Sequence, residues 1–230
     1  MTKPLAFIGT RTGADGVIAT AQLMGISIAG WFDRFYHENT DSFQGLPILG
    51  SDLNITDQDR DRYQFFLASH YSGHSQTANP AHNGMSLRRE RIAIIQNLEL
   101  DLATLIHPAA YVDPSAELGR GIYLAYNSVV GARCYVGDFS YLCFHAGIGH
   151  DVRLEGNNLL LAHCMVGGNV TLEQDVFAGM NSTVAPASGQ RLTVGRGAKI
   201  AAGAVVYDDV EANQFVSFEG RRRRKLDADF

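Results

Sequence analysis

The sequence has little of what small secreted domains, membrane proteins and nucleic-acid binders rely on. Only three of its 230 residues are cysteine, Cys134, Cys143 and Cys164, and no two stand as a CxxC pair. That argues against a disulfide framework and a zinc knuckle. No stretch approaches the roughly 18 consecutive apolar residues of a membrane helix, so no membrane partner is expected. The opening residues, Met1 to Gly9, lack the apolar core of a secretory signal. A cytoplasmic location with reduced thiols is the expectation. Positive charge is also short. The formal net charge is −5, and the first 220 residues hold 14 basic against 22 acidic side chains. Such a body is not expected to bind nucleic acid. Global disorder is not expected either, because 46% of the residues are hydrophobic and can bury a core.

What is present is a repeat. From Ile106 an aliphatic residue or alanine recurs at every sixth position through Val112, Leu118, Leu124, Val130, Val136, Leu142, Ile148, Leu154, Leu160, Val166, Leu172, Ala178 and Val184. The phase slips by four residues across Ala187 to Arg191 and resumes at Val194, Ile200 and Val206. Four positions after each start the residue is usually small, as at Ser128, Cys134, Ser140, Ala146 and Cys164. A helix would show a period of about 3.6 and a single strand a period of about 2. Period six instead suits three short strands per coil, stacked as a triangular prism. The aliphatic residue fills the prism and the small one fits the turn. Glycine recurs just after the aliphatic position (Gly119, Gly131, Gly137, Gly149, Gly167, Gly179, Gly195), where a tight corner would use its conformational freedom.

Ahead of the repeat the pattern changes to α/β. Leu5 to Gly9 reads as a strand running into a turn, Ala14 to Met24 as a helix, and Ile26 to Phe32 as a strand ending at Asp33. Gln64 to Ala68 reads as a third strand and Ser86 to Leu98 as a helix. His70 to Met85, with His70, His74 and His82, reads as a long loop suited to cover a ligand. The expected division is a small α/β domain at 1–104, the repeat domain at 105–220 and a basic tail at 221–230.

The hexapeptide pattern resembles that of left-handed β-helix acyltransferases. Ile8-Gly9, Gly25, Gly30-Trp-Phe-Asp33, Gly45-Leu-Pro-Ile-Leu-Gly50 and Ala103-Thr-Leu-Ile-His-Pro108 resemble bacterial nucleotide-sugar N-acetyltransferases. The resemblance extends to relatives described as sialic-acid O-acetyltransferases. It implies a Rossmann-like α/β domain followed by a left-handed parallel β-helix, assembled as a homotrimer. It further implies acetyl transfer from acetyl-CoA to the amino group of a nucleotide-linked amino sugar, with no metal.

The same resemblance implies roles for particular residues. His150, followed by Asp151, matches the general base and its acidic neighbour. Gly168 matches the glycine whose N–H meets the thioester oxygen. Gly9, Thr10, Arg11 and Asp33 fall where the nucleotide is held. Thr10 and Arg11 stand where the family is Gly-rich, and Arg11 can meet a phosphate directly. From the repeat itself, residues one coil apart stack on one edge about 4.8 Å from each other. Asn127, His145, His163 and Asn181 form such a ladder, read either as a plain polar edge or as a groove wall with His145 toward the acceptor and His163 toward the pantetheine arm. The basic run beginning at Arg221 is either a solvated end or a contact for the CoA phosphates.

Other readings stay open at this level. Sugar O-acetylation uses the same fold. His145 and His150 have the H-x4-H spacing of zinc carbonic anhydrases on this scaffold, although His107 lies slightly off the register for a third ligand. A non-catalytic nucleotide-binding scaffold is the third alternative.

Overall fold

In the computed structural model the chain divides into two compact units, Met1–Leu105 and Ile106–Phe230. The structure describes residues 3–9, 14–35, 41–68, 84–187, 189–217 and 223–225.

The first unit runs β1 (Leu5–Ile8), α1 (Asp15–Leu23), β2 (Ile28–Phe32), β3 (Ser42–Phe43), β4 (Leu46–Gly50), α2 (Asp57–Arg62), β5 (Gln64–Leu67) and α3 (Gly84–Asn97). The sheet order is β3-β4-β2-β1-β5. β4, β2, β1 and β5 are mutually parallel, and β3 turns back antiparallel on β4. All four residues of β1 are fully buried, as expected of an uninterrupted apolar run inside a parallel sheet. Phe7 packs on Trp31 with ring centroids 4.7 Å apart, and the Trp31 indole N–H donates to the Phe43 carbonyl at 3.0 Å. Gly30 (φ +150°) is required for β4 to approach, since a Cβ there would run into the Pro47 carbonyl oxygen.

The sequence reading finds β1, α1, β2, β5 and α3 but misses the β3–β4 hairpin and α2. The hairpin's second strand contains Pro47 and ends in Gly50, residues that are sparse within strands. Helix α2 has no apolar face and buries none of its residues. Its one local signal is a capping box, in which Thr56 accepts from the Asp59 amide and Asp59 accepts from the Thr56 amide.

The second unit is a parallel β-helix made of three sheets. One face stacks Tyr111–Val112, Val129–Val130, Gly147–Ile148, Met165–Val166, Thr183–Val184 and Val205–Val206. The other two faces have five and eight strands. The second residue of each short strand is the repeating aliphatic or alanine, and from Leu124 onward these side chains are buried in one continuous core. Residues 18 apart are in register, as in Val129↔Gly147 and Gly147↔Met165. The phase slip is an enlarged coil. Thr183 pairs with Val205, four residues later than the regular spacing, and Leu172 pairs with Val194 by the same offset. The last coil is two residues short, pairing Ile200 with Val216 and bridging Val194 to Val210. This architecture fits a left-handed β-helix.

One expectation needs correction. The recurrent glycines do not serve conformational freedom, because none of the seven has a positive φ. They serve close approach of neighbouring coils. A Cβ on Gly137 would sit 2.7 Å from the Leu154 carbonyl oxygen, and one on Gly179 would sit 2.5 Å from the Ala202 nitrogen. The left-handed backbone falls two residues later, at Asn127, Arg133, Phe139, His145, Asp151, Asn157, His163, Asn169, Asp175 and Asn181 (φ +50° to +66°). Asn, Asp and His tolerate this region better than other side chains. In the basic run, Arg223–Lys225 forms an edge strand antiparallel to Gln214–Val216.

Gly137→Ala should therefore destabilise the β-helix by about 1–3 kcal/mol, the usual cost of overpacking a closed site. Chemical denaturation followed by circular dichroism measures this. An unchanged midpoint would mean that the coils part without strain.

Candidate functional site

The six-stranded face turns the first residue of each strand outward. Down this column stand Tyr111, Val129, Gly147, Met165, Thr183 and Val205. Gly147 carries no side chain, the Met165 thioether leans over it at 3.0 Å from where a Cβ would stand, and a groove of about 480 Å³ lies alongside. Val129, Gly147, Met165 and Thr183 contribute to its lining, together with His145 and His150. These histidines flank the short strand Gly147–Ile148, one at each corner.

His150 stands two residues after the inward Ile148, and its side chain is 58% exposed. Its Nδ1 lies 2.7 Å from Asp151 Oδ2. Asp151 occupies the left-handed corner position (φ +55°), which swings its carboxylate beside the ring. The same carboxylate receives a two-pronged contact from the preceding coil. Arg133 Nε donates to Oδ1 at 2.8 Å, and Nη2 donates to Oδ2 at 2.7 Å. The Arg133 hydrogen bonds, then that from His150, hold the Asp151 carboxyl well below the usual carboxylate range. Asp151 is therefore an ionised acceptor throughout the neutral range, and an Nδ1–H on His150 is the proton it can accept. That tautomer leaves Nε2 with a lone pair.

Gly168 lies one coil beyond His150. A Cβ there would stand 2.6 Å from both Cε1 and Nε2 of the His150 ring. The ring thus rests over a bare backbone, and a side chain at position 168 would displace it. The Gly168 amide donates to no acceptor among the described residues.

The histidine ladder is present. His145 and His163 stack with ring centroids 4.8 Å apart and planes within 2°. Beside them Tyr126 stacks on Phe144 at 5.3 Å. Both histidines have left-handed backbone, as do Asn127 and Asn181 above and below. His145 is thus engaged with His163, and His150 with Asp151. Among the described residues no group of three His, Cys, Asp or Glu side chains could hold a metal ion. The cysteines are not poised as nucleophiles, since burial pushes the Cys164 thiol up to about 11 and raises Cys134 and Cys143 as well.

In the α/β unit, Gly9 follows β1 with φ +83°, and its amide donates to the Phe32 carbonyl at 2.9 Å. Thr10, Arg11 and Arg221 lie outside the described residues, as do residues 70–83 of the expected loop, whose last two residues open α3 instead. Asp33 departs from expectation. It follows β2 as read from the sequence, but it is 1% exposed. Its Oδ1 accepts from the Phe35 amide at 2.8 Å, and its Oδ2 accepts from Arg91 Nη2 at 2.8 Å. An open carboxylate for a nucleotide is not what this arrangement presents. Arg91 is itself fully buried and donates through Nε to Asp52 Oδ2 at 2.8 Å, while Nη1 has no partner among the described residues. Arg34 completes the cluster by pairing with Asp52. Burial alone would raise the Asp52 carboxyl, but the hydrogen bonds and charges of Arg34 and Arg91 outweigh it and hold it low.

Sequence reasoning missed Arg133, Arg91 and Asp52. Arg133 was reachable, because it stands one coil before Asp151 and opposite charges in one column should meet. Arg91 and Asp52 were not. They come from α3 and the segment after β4, and no local pattern links them.

No protein-family model matches the chain, and no curated protein matches it. Solved structures do. PerB from Caulobacter crescentus, in complex with CoA and GDP-perosamine, matches with a TM-score of 0.68 at 22% identity, over 96% of this chain and 97% of that one. The acetyltransferase domain of PglB from Neisseria gonorrhoeae FA1090, in complex with acetyl coenzyme A, matches with a TM-score of 0.68 at 23% identity, over 98% and 100%. WeeI from Acinetobacter baumannii AYE matches with a TM-score of 0.65 at 18% identity, over 98% and 100%. At this identity the likeness is one of fold, and it spans nearly the whole chain.

The buried cluster generates its own expectation. Asp33→Ala leaves buried Arg91 Nη2 without its acceptor and only Asp52, which Arg34 shares, against the Arg91 charge, so it should cost about 3–5 kcal/mol of stability, the range for breaking a buried ion pair. Denaturant unfolding of the variant measures it. A loss below about 1 kcal/mol, the range of an exposed pair, would mean that Asp33 is open to solvent and available to a ligand.

Proposed function

We propose that this chain transfers an acetyl group from acetyl-CoA to the amino group of a nucleotide-linked amino sugar, with His150 as general base. The observation that carries this reading is the His150–Asp151 pair, set over the bare backbone of Gly168 at the margin of an apolar groove. A shared fold with proteins solved in complex with CoA, acetyl coenzyme A and GDP-perosamine supports the choice of substrates.

Acyl transfer to an amine needs a proton acceptor, a donor for the thioester oxyanion, and a surface that aligns both substrates. Asp151 holds the Nδ1 side of the imidazole, and Nε2 takes the proton from the attacking amine. The amine then bonds to the acyl carbon, the oxyanion forms, and its collapse expels the CoA thiolate. The Gly168 amide is assigned to the oxyanion, since it has no competing acceptor among the described residues. His145 is assigned to the acceptor and His163 to the pantetheine arm. No metal takes part in this scheme.

The nucleotide is assigned to the α/β unit. Ligands of parallel α/β sheets bind beyond the carboxyl ends of the strands, and β1 ends there at Gly9, followed by Thr10 and Arg11. Asp33 enters this scheme as a support under the strand end, through its pair with Arg91. We further propose a cytoplasmic homotrimer. The outward column of the six-stranded face is apolar, with Tyr111, Val129, Met165 and Val205 each exposed by 42% or more, a surface suited to a neighbouring subunit. Light scattering should give three times the chain mass, and a fully active monomer would contradict the assembly.

The reaction is tested with purified protein, acetyl-CoA and a panel of nucleotide-linked amino sugars including GDP-perosamine, following release of free CoA thiol. His150→Ala should lower the rate by about 10²–10⁴-fold, the usual worth of a general base. Its side chain is outside the core, so folding should be unchanged. A variant that keeps near-wild-type rate removes His150 from the mechanism.

A further inference from the structure

We propose that Arg133 is a positioning residue for His150, acting through Asp151. Its consequence for rate rests on the acetyl-transfer reading, but the geometry that supports it does not.

Arg133 and Asp151 are one coil apart and occupy the same left-handed corner of successive coils. The guanidinium contacts both carboxylate oxygens, at 2.8 and 2.7 Å. A two-pronged contact fixes the plane of a carboxylate, which a single hydrogen bond leaves free to rotate. Here the plane matters, because Oδ2 is shared between Arg133 Nη2 and His150 Nδ1, the latter at 2.7 Å. With the plane fixed, Oδ2 stays aimed at Nδ1 and selects the Nδ1–H tautomer, keeping the Nε2 lone pair toward the groove side over Gly168.

The corner itself argues for a purpose. Eight of the ten corner residues between Asn127 and Asn181 are Asn, Asp or His, the side chains that best tolerate a positive φ. Arg133 has no such excuse in its backbone, and its φ of +56° costs what any long side chain pays there. Its place is secured from below. The Arg133 amide donates to Ser115 Oγ at 2.9 Å, and Ser115 Oγ donates to Asp113 Oδ1 at 2.6 Å. A line of contacts therefore crosses three coils, from Asp113 through Ser115, Arg133 and Asp151 to His150. The alternative is an ordinary surface ion pair, which contributes little and orients nothing. The two differ in what happens to the imidazole.

The test uses the full chain carrying nitrogen-labelled histidine, as wild type, Arg133→Gln and Arg133→Lys. Long-range proton–nitrogen NMR reads which ring nitrogen of His150 carries the proton, and His150→Gln identifies its signals among the eight histidines. Wild-type protein should show Nδ1 protonated. Arg133→Gln should show mixed tautomers and a kcat lowered roughly 10–100-fold, the scale of a misplaced catalytic group, with KM for acetyl-CoA little changed. Arg133→Lys should keep much of the tautomer preference and of the rate. An Arg133→Gln protein with the wild-type tautomer overturns the proposal, whether or not its rate has dropped. A tautomer shift in a protein that shows no acetyl transfer leaves the positioning role standing and sinks the reaction instead.

Discussion

Each coil of the β-helix presents three inward aliphatic or alanine side chains, and these stack on the equivalent residues of the coils above and below. No coil can bury that surface alone, so the coils are stable only as a stack. The stack must also hold its register. A slip of one residue would turn the aliphatic side chains to solvent and bring the outward ones into the prism. Everything outside the core inherits this registration. A residue has its neighbours chosen for it, at positions 18 before and 18 after, over most of the unit. At Gly131, Gly137, Gly179 and Gly195 the constraint extends to side-chain volume, because a Cβ there would run into the backbone of the next coil.

That registration turns the corners into display sites. The left-handed corner favours Asn, Asp and His on steric grounds. These are also side chains that accept protons, orient rings and bind polar ligands. Backbone geometry and chemistry thus select overlapping residue types at one position. His145, Asp151 and His163 all stand there. His150 stands one residue earlier, where it can lean on Asp151 without bearing the strained φ itself. The ring then needs room one coil further on, and Gly168 supplies it.

The legible part of the molecule follows from periodicity. Seventeen matches to a six-residue period define the β-helix, and the four-residue slip near Ala187 locates the enlarged coil correctly. The histidine stack could be placed because its members share a register, and its spacing follows from strand geometry alone. The short last coil was not legible, since Val210 and Val216 fall out of phase with the series. The corner glycines were assigned the wrong purpose because sequence records that glycine is needed, not whether the need is for a torsion angle or for space. In the α/β unit the parallel strands were found from apolar runs. The charged cluster beneath them was not, because its members come from three separate segments brought together only by the sheet and α3.

The two charged clusters show why an acidic residue at a strand end is a weak guide to function by itself. Asp33 directly follows β2, and Asp151 stands three residues after the short strand Gly147–Ile148. Asp151 is more than a third exposed, and its contacts with Arg133 and His150 lie in solvent, where ion pairs add little to stability. Such an arrangement adds little to the fold, which is consistent with the orienting role proposed for it. Asp33 is buried against a fully buried arginine that also holds Asp52. There the desolvation of each ion must be met by its partners, and loss of one leaves another stranded. The buried carboxylate is therefore tied to the fold, and the exposed one is free to serve chemistry.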